Sequence, residues 1–173
     1  LMSEVGLIRV FAVYNDFVYA PLTPRLIWLL RNLSIVAENM PIVRTLALSD
    51  PNWEVRIKSI ELIRKFRDVA SIHVLLRALG DENRDIRLAA ALALLEFRSP
   101  AASSAVSAQL AVEDDDAIKE LLIDALIVTH NGGGFRGIER VLSSDANVTL
   151  RIRAALACGD IGDARAIGLL MPA

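Results

Sequence analysis

The sequence predicts an all-α fold, a right-handed α-solenoid of about five stacked antiparallel helix pairs. Three observations carry that prediction. First, a short signature recurs, an acid followed six positions later by a base with an aliphatic residue just before it. It reads Asp50…Val55-Arg56, Asp81…Ile86-Arg87, Glu113…Ile118-Lys119 and Asp145…Leu150-Arg151, and the bases are spaced by 31, 32 and 32 residues. A near-constant period of this size marks a repeat architecture. Second, each period holds two apolar patterns at helical spacing and no strand-type alternation. Third, the chain is 54% hydrophobic, yet only five Phe, two Tyr and two Trp contribute to that figure. Thin layers of Ala, Leu, Ile and Val suit stacked helix pairs, which bury a continuous core that no single pair could bury alone.

The elements follow in order. Residues 1–21 do not fit the period and are expected to form an N-terminal capping helix and linker. Four of the nine aromatic residues, Phe11, Tyr14, Phe17 and Tyr19, fall there. A surface that docks on a membrane or on an upstream domain is the alternative for this segment. The run from Val5 to Ala20 is interrupted by Arg9 and Asp16, so it is no membrane span. No basic segment precedes it, so it does not read as a signal peptide.

The repeat array is expected over residues 22–173. Its first copy is degenerate: Thr23-Pro24-Arg25-Leu26 lies one period before Arg56, with Tyr19 where the acid should stand. Thr23 at the N-cap and Pro24 at the first helical position are a helix start. In the next full period, Ser71 to Leu79 reads as a first helix, broken by Gly80 and Asp81. Arg84 to Phe97 reads as a second helix, rich in Ala and Leu, the strongest helix formers. The acid in the short turn is placed to cap the second helix and to suit its positive end. The segment from Asp163 opens another first helix and stays apolar to Ala173. That, and a start at Leu1 rather than Met, give the expectation of a fragment of a longer protein.

The stretch Asp81-Glu-Asn-Arg-Asp-Ile-Arg-Leu-Ala-Ala-Ala-Leu-Ala-Leu-Leu95 resembles HEAT-like repeats, most closely the short bacterial kind named after phycobilisome lyases. The stretch from Leu150 to Ile167 resembles them even better, and the likeness covers roughly residues 22–171. The resemblance implies a ladder in which the turn acid of one repeat meets the base of its neighbour. It assigns that structural role to Asp50, Arg56, Asp81, Arg87, Asp145 and Arg151, with Glu113 and Lys119 as conservative departures. It also implies that the second helices line a concave surface, and it says almost nothing about activity.

Residues one, two and five places after each base should then point away from the core. They are Leu26, Ile27 and Leu30; Ile57, Lys58 and Glu61; Leu88, Ala89 and Leu92; Glu120, Leu121 and Asp124; and Ile152, Arg153 and Leu156. Ten of these fifteen are apolar, where binary patterning expects polar residues. An exposed apolar patch of that kind usually marks an interaction site. The groove centred on Leu88 and Leu92 is therefore expected to receive an apolar helix or extended segment of a protein partner. A register shift of one position would return these residues to the core.

Other chemistry finds little support. The net charge is −2, and it divides unevenly, with +2 over residues 51–98 and −4 over residues 99–173. The densest basic group, Arg64, Lys65 and Arg67 with Lys58 one turn earlier, does not recur in later repeats, where Glu120 and Asp124 stand instead. A phosphate-tracking groove is not expected, and so no nucleic-acid partner. Cys158 is the single cysteine, which excludes a disulfide scaffold. It sits in an Ala-rich run and reads as a buried core residue. Glu113 to Asp116 lacks the spaced ligands of a calcium loop. His130-Asn-Gly-Gly-Gly134 lacks the strand and the Gly-Lys-Ser/Thr of a phosphate loop and reads as a flexible turn. His73 and His130 lie in different repeats, with no zinc spacing. Ser103, Ser104 and Ser107 show no nucleophile elbow. The expectation is a cytoplasmic protein-interaction scaffold of bacterial origin, without catalysis, metal or cofactor. The alternatives are a membrane-associated assembly module contacting the bilayer through residues 1–20 and, more remotely, a bilin-lyase-like subunit.

Overall fold

The computed structural model describes residues 40–162 and Arg165; among these described residues there are eight α-helices in four consecutive pairs. The pairs are α1 (Met40–Ser49) with α2 (Trp53–Lys65), α3 (Ile72–Ala78) with α4 (Arg84–Phe97), α5 (Ser103–Leu110) with α6 (Asp116–Ile127), and α7 (Phe135–Ser144) with α8 (Val148–Ile161). Among the described residues there is no strand. All of them belong to one unit, residues 35–173. The capping helix and linker expected over residues 1–21, the degenerate copy at Arg25 with Leu26, Ile27 and Leu30, and the segment from Asp163, Arg165 apart, lie outside the described residues.

Within each pair the connection is short, which forces the two helices to run antiparallel. Second helices stack in order, α2 on α4, α4 on α6 and α6 on α8, while α1 packs on α3 and α5 on α7. The core repeats with the period. Just before each base stand Val55, Ile86, Ile118 and Leu150, all at most 1% exposed. Three places after it stand Ser59, Ala90, Leu122 and Ala154, all fully buried. The first helices add Val74, Leu75, Val106, Leu110, Ile138 and Val141 from the other side of the layer. Full burial of a Leu or Ile side chain contributes about 1.5–3 kcal/mol, so each thin layer is held by a few such residues.

Each second helix starts in the same way, and here the structure corrects the expected role of the turn acid. The acid does not cap the helix. Its carboxylate instead accepts the backbone N–H two residues on: Asn52 to Asp50 (2.8 Å), Asn83 to Asp81 (2.9 Å), Asp115 to Glu113 (3.2 Å) and Asn147 to Asp145 (2.8 Å). The residue so fixed is the true N-cap. Asn52, Asn83 and Asn147 accept from the N–H two residues further on, and Asp115 accepts from Ile118. Two successive side-chain turns thus satisfy donors at each helix start, which otherwise lack intrahelical acceptors.

The far ends of the second helices repeat as well. Arg67, Arg98, His130 and Gly162 all adopt a left-handed conformation, with φ of 49°, 49°, 45° and 69°. Such a residue closes a helix by turning the chain out of it, a position usually taken by Gly. In three repeats a non-glycine residue takes it. In two of these the side chain reaches the next second helix: Arg67 donates to the Glu96 carbonyl (2.7 Å), and His130 Nδ1 lies 3.2 Å from the Asp160 carbonyl. A basic group suits the negative end of a helix.

The glycine run is an ordered element rather than the flexible turn expected. Gly132–Gly134 forms a 3-10 turn capped by Asn131, which also donates to the Pro100 carbonyl (3.0 Å). Beyond it, Gly137 lets α7 approach α5. A Cβ at Gly137 would stand 2.6 Å from the Ser107 carbonyl oxygen, and the Gly137 N–H donates to Ser107 Oγ (2.7 Å).

Candidate interaction face

The positions one, two and five places after each base can be followed from α2 to α8. None of them is buried. Ile57, Lys58 and Glu61 on α2, Leu88, Ala89 and Leu92 on α4, Glu120, Leu121 and Asp124 on α6, and Arg153 on α8 are half-buried. Ile152 and Leu156 are 57% and 66% exposed. The intervening positions Ala90, Ala91, Ala93 and Leu94 of α4 are at most 3% exposed. A helix periodicity of 3.6 separates the two sets onto opposite faces.

Apolar and charged residues segregate along this face. At α4 it is entirely apolar, through Leu88, Ala89 and Leu92, and Leu121 of α6 continues it. On α2 it becomes charged, where Lys58 Nζ meets Glu61 at 2.7 Å. Between α6 and α8 it is charged again, where Arg153 forks onto Asp124 at 2.7 and 2.6 Å. An apolar centre between polar margins is the anatomy of a protein–protein interface.

The edge of the array carries the acid–base ladder. Arg56 meets Asp81 (3.2 Å), Arg87 meets Glu113 (3.1 Å) and Lys119 meets Asp145 (2.7 Å). Each arginine also holds its own turn, since Arg56, Arg87 and Arg151 donate to the carbonyls of Asp50, Asp81 and Asp145. One guanidinium therefore ties a repeat to itself and to the next. Burial alone would raise the Glu113 carboxyl, but bonds from Arg87 and from the Asp115 N–H bring it below its ordinary value. Asp145 is likewise raised by burial and lowered further by Lys119 and the Asn147 N–H, with a net fall. Lys119 is raised chiefly by its bond to Asp145.

Comparison with known families matches HEAT repeats over residues 41–127, which takes in α2 to α6 and the first two rungs of the ladder. The chain belongs to the HEAT-repeat family. The match reaches the repeat class and does not single out the phycobilisome-lyase kind. No curated protein matches the chain. HEAT repeats commonly serve as protein-interaction scaffolds and are typically not enzymes.

Among the described residues, most of the remaining chemistry-bearing side chains of this HEAT-repeat chain are engaged in the fold. In the basic group, Lys58 pairs with Glu61, Arg64 pairs with Glu96 (2.8 Å), and Arg67 holds a helix end. In the acidic run, Glu113 is a ladder rung and Asp115 is an N-cap bonded to Arg84 (2.6 Å). Asp116 accepts from Asn147 (2.7 Å). An open cleft of ≈ 890 Å³ along these turns is lined by Glu113, Asp116, Lys119, Arg140 and Asp145 among others, so its charges belong largely to the ladder. Ser107 bonds Gly137, Ser103 lies 3.1 Å from Thr129 Oγ1, His73 is exposed and Cys158 is buried. Among the described residues, no group of three metal-ligating side chains occurs and no helix is long and apolar enough to cross a membrane.

Proposed function

We propose that this chain is an interaction scaffold whose second helices receive an apolar helix or extended segment of a partner protein, centred on Leu88 and Leu92. The observation that carries the reading is the composition of α4. Its inward positions are buried, yet its outward positions are Leu88, Ala89 and Leu92, where a solvated helix face would be polar. The Lys58–Glu61 and Asp124–Arg153 pairs flank that centre and limit how far an apolar segment extends along the stack. In such an interface a few apolar anchors carry most of the affinity, and the flanking charges set register.

The test begins with capture of partners by the full-length protein and their identification by mass spectrometry. Affinity is then measured by calorimetry for the wild type and for Leu88→Asp/Leu92→Asp. The expected result is a loss of about tenfold or more, since two charges would enter a desolvated contact. A folded double variant that binds with unchanged affinity overturns the proposal.

A further inference from the structure

We infer that the cleft between Arg67 and Arg98, at the C-terminal ends of α2 and α4, takes an extended acidic segment of a partner protein, with two carboxylates three residues apart. Both arginines stand at left-handed helix ends, each with φ of 49°. Glycine is the residue that suits this conformation, and Gly162 takes the same place in the last described repeat. An arginine there is strained, and strained residues that persist gather at functional sites. Arg67 spends one donor on the Glu96 carbonyl (2.7 Å) and keeps the rest of its fork. Arg98 is exposed, and its side chain forms no hydrogen bond or ion pair among the described residues. The fold therefore keeps a strained arginine whose guanidinium it does not use.

The two side chains line one open cleft of ≈ 520 Å³, together with Leu95 and Glu96. Glu96 is engaged twice, its carboxylate by Arg64 (2.8 Å) and its carbonyl by Arg67, so it does not pair with Arg98. The cleft lies inside the array, where α2 packs on α4 and α4 on α6. A guanidinium grips a carboxylate through two parallel bonds, a geometry that lysine does not offer. Stacked helices lie about 8–10 Å apart, and three residues of extended chain span about 10 Å. Acids at positions i and i+3 of an extended segment thus reach both arginines, and the residues between them pack on half-buried Leu95. A nucleic-acid backbone fits less well. The third repeat places His130 at this position, with Nδ1 3.2 Å from the Asp160 carbonyl, and the fourth places Gly162. The row of guanidiniums stops after two steps, whereas tracking phosphates takes many contacts. The cleft includes none of Leu88, Ala89 and Leu92, and the inference does not depend on what they bind.

The probe is the peptide Ser-Thr-Glu-Val-Thr-Glu-Thr-Ser, whose β-branched residues favour an extended chain. It is titrated into the isotope-labelled full chain and followed by the arginine Nε–H signals in nuclear magnetic resonance spectra. Saturable shifts of the Arg67 and Arg98 signals are expected, with half-saturation at about 1 mM or below. Arg98→Gln, at an exposed position, should weaken binding at least about fivefold, because a charge-assisted fork is lost. Replacing both glutamates of the peptide by glutamine should do the same without touching the protein. Arg77→Gln removes an equal charge from an exposed residue of α3 and should leave binding unchanged. Shifts that do not saturate by about 10 mM overturn the inference. So does binding that is indifferent to Arg98→Gln or to the loss of the glutamates. A single-stranded oligonucleotide of similar length that binds Arg67 and Arg98 more tightly than the peptide overturns it as well.

Discussion

At the scale of single residues, the left-handed helix ends separate what a repeat requires from what each copy supplies. A non-glycine residue in that conformation carries a steric cost of about 1–2 kcal/mol. Arg67 and His130 offset it in part through their bonds to the next helix, at Glu96 and Asp160. For Arg98 no such bond is present among the described residues; its N–H bonds to the Leu94 carbonyl, which any residue keeps. Arg98→Gly should therefore stabilise the protein by about 0.5–1 kcal/mol, part of the relief being offset by the freedom Gly adds to the unfolded chain. His130→Gly should gain less. Urea unfolding of both variants checks this, and a lower midpoint for Arg98→Gly would sink it. These positions were not legible in the sequence. They recur at 31, 32 and 32 residues, as the bases do, but only Gly162 announces a left-handed turn by its residue type. The N-cap has a legible signal: Asn stands two places after the acid in three of four copies, at Asn52, Asn83 and Asn147. The close approach of Gly137 to Ser107 depends on which first helices touch, and no pattern along one helix contains that.

At the scale of elements, the ladder couples the pairs through carboxylates whose ionisation the fold favours. Glu113 has an ordinary value of 4.5 and Asp145 one of 3.8, and both lie lower in the folded chain. A depressed folded value means that the unfolded state takes up protons first as pH falls. The contribution is thus complete above the ordinary values and is lost as pH drops through them to the folded values. Unfolding midpoints should be flat from neutral pH to about 5 and fall steeply below that. Glu113→Gln should lower stability at pH 7 by about 1–3 kcal/mol, because Arg87 loses a charge-assisted acceptor. It should also make the acid limb shallower, since one of the titrating groups is gone. Urea titrations at a series of pH values measure both effects. An acid limb as steep in the variant as in the wild type would remove Glu113 from the ladder's energetics. The acid and base positions themselves were readable from the period alone, because charge repeats at fixed spacing. The intervening double turn was not, because an acid two residues before a helix and an acid at its N-cap look alike in sequence.

At the scale of the described array, stability should be local and transmitted between neighbours. Contacts run from each pair to the next, α2 to α4 to α6 to α8, with the ladder following the same steps. In such an array stability is a sum of pair terms and nearest-neighbour interface terms. Ile123 is fully buried in α6. Ile123→Ala removes three carbons from a layer only one helix pair thick, and should cost about 2–4 kcal/mol. The cost should not spread evenly. Amide hydrogen exchange, read by mass spectrometry on peptides from each helix, should show the largest loss of protection in α5 and α6. Smaller losses should follow in α3, α4, α7 and α8, which share interfaces with that pair, and the smallest in α1 and α2, two interfaces away. The same gradient bears on binding. A partner seated across α4 and α6 would stabilise both its own contacts and the interface beneath them, and so should partly restore protection there in the Ile123→Ala chain. Equal loss of protection in all eight helices would show instead that the array opens as one cooperative unit.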